Sequence, residues 1–77
     1  MRELLDFLVR SLVDDPAAVK IDESEKDGET LLEIHVAQGD VGKIIGRQGR
    51  TVKAIRAVLG IAERRLGKRV QVEIAEG

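Results

Sequence analysis

The apolar residues of the chain follow a helical period at first and an alternating period afterwards. The first segment has leucines at helical spacing, which predicts an amphipathic helix over Arg2–Val13. The residues assigned to its apolar arc are Leu4, Leu5, Leu8 and Leu12. The segment Asp14–Pro16 ends this helix, because proline disfavours helical geometry in the residue before it.

Alternation of polar and apolar residues then predicts two strands, over Val19–Glu25 and Thr30–Val36. Between them, Lys26–Glu29 contains Asp-Gly, the strongest short signal for a hairpin. One face of the second strand is assigned to the core by its residues Leu32, Ile34 and Val36. The opposite face carries Leu31, Glu33 and His35, and we expect His35 to be solvated or to contact the neighbouring strand.

The second half of the chain predicts two helices and a last strand. Asp40, at the end of a loop over 38–40, is a candidate N-cap for a short helix over Val41–Ile45. The segments predicted after it are a break at Gly46–Gly49, a helix over Arg50–Leu66 that ends at Gly67, and a strand over Arg69–Ala75. This α-β-β-α-α-β order contains no linker or repeat, and it predicts one small α+β domain over residues 1–77, with helices on one face of the sheet.

The predicted helix over Arg50–Leu66 carries two apolar stripes. The first is assigned to the core and contains Val52, Ile55, Val58, Leu59, Ala62 and Leu66. The second lies more than a quarter turn away and contains Ala54, Ala57 and Ile61. A second stripe favours a second partner, so we expect a dimer contact there; the alternative is isolated exposed apolar residues that need no partner. Gly60, on the polar side, costs about 1 kcal/mol relative to alanine and suggests the close approach of another group.

The net charge of −1 hides a strong division along the chain. Residues 1–33 carry ten acidic and four basic side chains, whereas residues 41–69 carry nine basic side chains and Glu63. Such asymmetry predicts one acidic and one basic face. Five of the cations, and no anion, lie within 41–56. The cations of 64–69 either extend the basic face or complement the dipole at the end of the helix.

Several classes of function find no support in the sequence. The chain has no cysteine and no cluster of metal ligands, and it has no arrangement of nucleophile, base and orienting group. Gly42-Lys43 is followed by Ile44 where a phosphate-binding loop needs Ser or Thr. We therefore expect neither an enzyme nor a bound cofactor or metal. The sequence has no pattern typical of a signal peptide or a membrane span, so a cytoplasmic protein is the expectation.

The segment from Ile44 to Val52, Ile-Ile-Gly-Arg-Gln-Gly-Arg-Thr-Val, resembles the signature of the K-homology (KH) domain, which is an apolar pair followed by Gly-x-x-Gly. The order of elements is that of the bacterial, type II version of this family, and the resemblance covers nearly the whole chain. It implies a type II KH fold, in which the second and last strands are parallel neighbours in a three-stranded mixed sheet.

The resemblance also implies that the Gly-x-x-Gly loop binds the backbone of about four nucleotides of single-stranded RNA. The implied RNA-binding residues are Lys43, Ile44, Ile45, Gly46, Arg47, Gln48, Gly49, Arg50 and Lys53. The two glycines would allow close approach, and the polar and charged side chains would meet phosphate or sugar. Ile44 and Ile45, with Ile34 or Val36 of the second strand, would form an apolar floor for the bases.

By the same resemblance we expect an RNA chaperone or post-transcriptional regulator that acts as a dimer. The expected partners are a second copy of the chain or a KH protein of the KhpB (Jag-type) class. The chain has one aromatic residue, Phe7 in the first helix, so we expect no aromatic side chain to stack on bases at the RNA site. Binding of RNA by one copy should therefore be weak and salt-dependent. The alternatives are a protein-interaction module and an accessory of ribosome assembly, each with little direct RNA binding.

Overall fold

The computed structural model describes residues 1–75, and in them it contains three α-helices and three strands in the predicted order. Each element ends within one residue of its predicted limits; the last two positions of the predicted domain, 76–77, lie outside the described residues. The elements are α1 (Arg2–Leu12), β1 (Lys20–Lys26), β2 (Glu29–His35), α2 (Val41–Ile45), α3 (Arg50–Leu66) and β3 (Arg69–Ile74). Short 3₁₀ turns occupy Pro16–Ala18, Gln38–Asp40 and Arg47–Gly49.

The sheet has the order β1-β2-β3, with β1 antiparallel and β3 parallel to the central strand β2. Asp27 and Gly28, which join β1 to β2, both have positive φ, of 54° and 79°, as a two-residue type I′ hairpin requires. The helices lie on one face of this mixed sheet. The predicted α+β architecture, with parallel pairing of the second and last strands, is therefore confirmed.

The core contains ten buried apolar residues contributed by every helix and strand: Leu5, Val9, Val19, Ile21, Leu32, Ile34, Ile44, Ile55, Leu59 and Val72. In α1 the prediction of the buried arc was partly wrong, because Leu5 and Val9 are buried while Leu4 and Leu12 are more than a third exposed. The arc that contacts the sheet is centred between Leu5 and Val9, so the other leucines lie on its flank.

The buried face of α3 is also narrower than predicted. Ile55 and Leu59 are buried, but Val58 is 41% and Leu66 60% exposed. Leu66 lies in the last turn of a 17-residue helix of about 25 Å, which extends past a six-residue strand of about 20 Å. Val58 lies on the side of the helix toward α1, where it lines a cavity with Phe7 and Leu12.

Asp40 does not cap α2 with its side chain, contrary to the prediction. Its buried carboxylate instead accepts hydrogen bonds from the backbone N–H groups of Asp14, at 3.2 Å, and Asp15, at 3.0 Å. The carboxylate therefore joins the segment after α1 to the start of α2. No helix in residues 1–75 is both long enough and apolar enough to cross a membrane.

Candidate nucleic-acid interface

The loop between α2 and α3 brings its backbone very close to the first turn of α3. Gly46 has φ 75° and ψ 171°, and a Cβ placed on it would lie 2.8 Å from the backbone nitrogen of Thr51. The Gly46 N–H donates to the carbonyl of Gly42 at 2.8 Å, and the Gly49 N–H donates to the carbonyl of Gly46 at 3.1 Å. Only glycine fits position 46, because any side chain would overlap the backbone of α3.

The two residues at the loop tip, Arg47 and Gln48, point into solvent. Gln48 has φ 58°, a left-handed conformation that is uncommon for a residue other than glycine, and Gly49 follows it with φ 73°. Two successive left-handed residues turn the chain sharply from α2 into α3. The turn leaves Arg47 and Gln48 exposed at the start of a long helix.

Positive charge concentrates at this end of α3. Arg47, Arg50 and Lys53 are exposed, and none of them forms an ion pair within residues 1–75; Arg50 contacts the Gln48 Oε1 atom at 3.4 Å. No side chain caps the first turn of α3. The Arg50 N–H donates to the Arg47 carbonyl, and the other N–H groups of this turn and the positive end of the helix dipole face the same loop. The arrangement suits an extended polyanion.

Lys43, predicted to be a contact for RNA, is engaged within the protein instead. Its ammonium pairs with the Asp14 carboxylate and lies 3.4 Å from the Asp40 Oδ1 atom. The hydrogen bond to Asp14, aided by both negative charges, raises the pKa of Lys43 against the effect of desolvation. Burial opposes ionisation of Asp40, but the hydrogen bonds from the backbone of Asp14 and Asp15 and from Lys43 lower its pKa.

The predicted apolar floor for bases is not at the surface. Ile44 and Ile34 are both fully buried in the core, and Ile45 and Val36 are partly buried. These residues hold α2 against the sheet. That these residues contact bases stays a prediction; in the RNA-free domain Ile44 and Ile34 fill the core, because so small a domain has few other residues with which to do so.

A groove that the sequence did not predict runs between α3 and the free edge of β3. It is a cavity of about 360 Å³ lined by Arg56, Leu59, Gly60, Glu63, Val70, Gln71, Val72 and Glu73. The Arg56 guanidinium donates to the Val72 carbonyl at 3.2 Å, and the Val70 N–H donates to the Glu63 carboxylate at 2.8 Å. The signal in the sequence was Gly60 within a helix and the helical spacing of Lys53, Arg56 and Gly60, which lie on one face of α3.

Comparison with known proteins places this fold and loop in a family. Residues 2–74 match the family model described as "KhpA/KhpB, KH domain". The chain belongs to this KH-domain family. A protein of Borreliella burgdorferi is 49% identical over 74 residues, which cover 96% of this chain and 90% of the relative.

Other relatives are similar over the same span. A Clostridium acetobutylicum protein is 46% identical over a span that covers 96% of this chain and 99% of the relative. A Chlamydia trachomatis protein is 43% identical over a span that covers 99% of this chain and 97% of the relative. Each of the three is named "RNA-binding protein KhpA". No solved structure gives a significant match to the chain.

A second surface of this KH domain is apolar. Ala54, Ala57 and Ile61 of α3, the predicted dimer contact, are all exposed, Ile61 to 54%. They are joined by Val58 and, from α1, by Phe7, which is 67% exposed. We call these five residues the apolar face. A cavity of about 260 Å³ between α1 and α3 lies beside it, lined by Phe7, Leu8, Ser11, Leu12, Thr51, Ala54, Ile55 and Val58.

The remaining polar and charged side chains of interest lie on the sheet. His35 contacts the next strand as expected, with its Nε2 atom 2.8 Å from an oxygen of Asp22 and 3.1 Å from one of Glu33. Arg69 lies 3.8 Å from Glu29. The sheet therefore offsets part of its own charge, in contrast to the cations of the loop.

Proposed function

We propose that the chain binds single-stranded RNA, with the RNA backbone at the Gly46–Gly49 loop and the start of α3. The observation that carries the proposal is the loop itself, in which a glycine backbone, an exposed tip and three exposed cations without ion pairs in residues 1–75 occur together. The names of the relatives, which are of similar length and are 43–49% identical to this chain, support it.

Phosphate groups would be held in two ways. The free N–H groups of the first turn of α3 donate hydrogen bonds to phosphate oxygens, and the glycines let the RNA backbone approach those groups closely. Arg47, Arg50 and Lys53 add charge along the same line, while Gln48 offers an amide to a phosphate or ribose. Lys43 contributes to the stability of the loop through Asp14 and Asp40 rather than to contact with RNA.

The bases would lie in the groove between α3 and β3. This groove begins at Arg56 and is lined on its apolar side by the half-buried Val70 and the edges of Leu59 and Val72. It lacks aromatic side chains, so each base gains less than the roughly 1–3 kcal/mol that stacking on an aromatic ring supplies. Affinity for one copy should be modest and should depend mainly on contacts with phosphate.

Two copies joined through the apolar face would present two such sites to one RNA. Effective concentration then raises affinity for longer RNA without any new contact at each site. The small residues at 54 and 57 let a second helix approach closely, and Phe7, Val58 and Ile61 supply apolar area. A chaperone or post-transcriptional regulator of RNA fits such a bivalent binder. A KH protein of the KhpB class is the alternative second subunit.

Fluorescence anisotropy of a labelled single-stranded RNA at two salt concentrations tests the proposal. Reversing the charge of the loop tip, with Arg47→Asp and Gln48→Asp, should abolish binding while leaving both glycines in place. The single variants Arg47→Asp and Lys68→Asp form a matched pair, because each changes the net charge of the protein by two. Arg47→Asp should weaken binding, and Lys68→Asp is the control. Loss of binding in the Lys68 variant alone would move the site to the cations of 64–69.

The apolar face favours a second candidate function, a protein-interaction module with little RNA binding. In that case the wild-type protein would form dimers and would bind no RNA at either salt concentration. Co-sedimentation with ribosomal particles, independent of the loop charges, would instead favour a role in ribosome assembly.

A further inference from the structure

Gly60 has no structural purpose within its own helix. It lies in the interior of the 17-residue α3, where glycine is less favourable than alanine. No atom of the described chain lies within 4 Å of an ideal Cβ at this position, so an alanine would fit without a clash. The position lines the groove between α3 and β3. The space that the missing side chain leaves therefore belongs to the groove.

The electrostatic character of the groove changes along α3. On α3 the lining side chain nearer the loop is Arg56 and the one at the far end is Glu63, while Glu73 of β3 lies toward the Arg56 end. Carboxylates repel phosphate, so the far end is unsuited to the RNA backbone. They accept hydrogen bonds from N–H groups, so the far end suits a base that carries several such donors.

Two side chains on either side of Gly60 are held in place by the edge of β3. Arg56 uses one N–H group on the Val72 carbonyl, which leaves its other guanidinium donors free for a ligand. Glu63 uses its Oε2 atom to accept the Val70 N–H, which leaves its Oε1 atom free. The groove thus offers donors on one side of Gly60 and acceptors on the other.

We propose that this groove selects guanine, with the base lying over Gly60. Guanine presents the O6 and N7 acceptors that a guanidinium binds. Its N1–H and N2–H₂ donors lie on the adjoining edge, where they can reach the Glu63 carboxylate. Adenine, cytosine and uracil each lack part of this set. The inference rests on the proposed binding of single-stranded RNA, whose backbone would be held at the loop.

The test is the affinity for short single-stranded RNAs that are identical except for one central base. Wild-type protein should bind the guanine RNA roughly tenfold more tightly than the adenine RNA, the discrimination typical of a bidentate base contact. Inosine, which lacks the 2-amino group, should fall between them. Glu63→Gln keeps an oxygen to accept the Val70 N–H, and it should remove most of the preference for guanine over adenine.

The variant Gly60→Ala distinguishes an effect on base preference from an effect on stability. It should raise the melting temperature, because alanine favours the helix, and it should lower the preference for guanine. The control for charge is Glu25→Gln on the exposed part of β1, which should leave the preference unchanged. Equal affinity of the wild-type protein for the guanine and adenine RNAs, with binding still abolished by reversal of the loop charges, would overturn this inference and leave the proposed function intact. Absence of RNA binding altogether would overturn both.

Discussion

Gly46 and Gly49 belong to one loop but are glycine for different physical reasons. At Gly46 a side chain would overlap the backbone nitrogen of Thr51, and the conformation itself is open to glycine alone. At Gly49 the described chain leaves open space around a Cβ, and only the left-handed conformation, φ 73°, opposes another residue. The first glycine sets the distance between the loop and α3, and the second sets the direction of the chain.

The two alanine variants of these glycines should therefore differ. Gly46→Ala should destabilise the protein by about 2–3 kcal/mol and should abolish RNA binding, because the loop must move away from α3. Gly49→Ala should cost about 1 kcal/mol and should leave most of the binding. Chemical denaturation and RNA titration of both variants measure the two effects. Equal losses at the two positions would contradict the close approach at Gly46.

The buried carboxylate of Asp40 links the segment that follows α1 to the start of α2. Its ionisation makes the stability of the protein depend on pH. Its pKa in the folded protein is below the ordinary 3.8, so its ionised form contributes stability that is fully present above pH 3.8. That contribution is lost as the pH falls through the lower pKa of the folded state. Asp40→Asn removes it at every pH, because an amide offers one acceptor oxygen to two backbone donors.

We expect Asp40→Asn to lower the melting temperature by several degrees at pH 7. The difference in free energy of unfolding between wild type and variant should shrink as the pH falls below about 4. Urea denaturation over pH 2–7 measures this difference, with Glu25→Gln as the control for the removal of an exposed carboxylate. A difference that stays constant or grows on acidification would contradict the assigned role of Asp40.

At the scale of elements, α3 presents three faces to three different surroundings. Ile55 and Leu59 face the sheet, whereas Arg56 and Gly60 face the groove along β3. The apolar face lies about a third of a turn from the groove face, at 100° per residue. One helix can therefore contact the core, an RNA and a second subunit simultaneously, so variants should separate the last two activities.

Ile61→Asp should disrupt the proposed dimer and raise its dissociation constant roughly thirtyfold or more, because it buries an unpaired charge. Its affinity for an RNA short enough to occupy one site should be unchanged. Leu66→Asp is the matched control, since Leu66 is equally exposed but lies off the apolar face. Sedimentation of the three proteins measures the effect. Equal dimerisation of wild type and the Ile61 variant would exclude the apolar face as the interface.

The limits of α2 and α3 could be predicted because local chemistry sets them. The glycines at 46, 49 and 67 adopt positive φ, and each lies directly at the end or the start of a helix. The buried face of each helix was harder to predict, because it depends on the position of the sheet. Val58 and Leu66 follow the helical period of the core residues, yet Val58 lines a cavity between α1 and α3 and Leu66 lies beyond the end of the sheet.

The same limit explains what was missed in the candidate site. The loop and its cations are contiguous in sequence, so their pattern alone located them. Lys43 was assigned to RNA from its place on the helix before the loop. Its ion pair with Asp14, which is 29 residues away, has no local pattern in the sequence. The groove combines α3 with the edge of β3, and its existence depends on the parallel pairing of β2 with β3.

At the scale of the whole molecule, the near-zero net charge conceals a basic site on an otherwise acidic chain. Three exposed cations, Arg47, Arg50 and Lys53, are proposed to contact phosphates. The logarithm of the association constant for a short RNA should therefore fall with the logarithm of salt concentration with a slope of about −2, at roughly 0.7 per phosphate of a single strand. Lys53→Gln should reduce the slope by about 0.7. A slope near zero would contradict a site built on phosphate contacts.

The most direct test of the account is to follow the backbone amides of the protein by NMR during titration with a short single-stranded RNA. We predict that the largest shifts occur at Gly46–Lys53, with smaller ones at Gly60 and along β3. The amides of the apolar face around Phe7 should move least when the oligomeric state does not change. Shifts confined to 64–69 or to the apolar face, with the loop unaffected, would contradict the assignment of RNA binding to the Gly46–Gly49 loop.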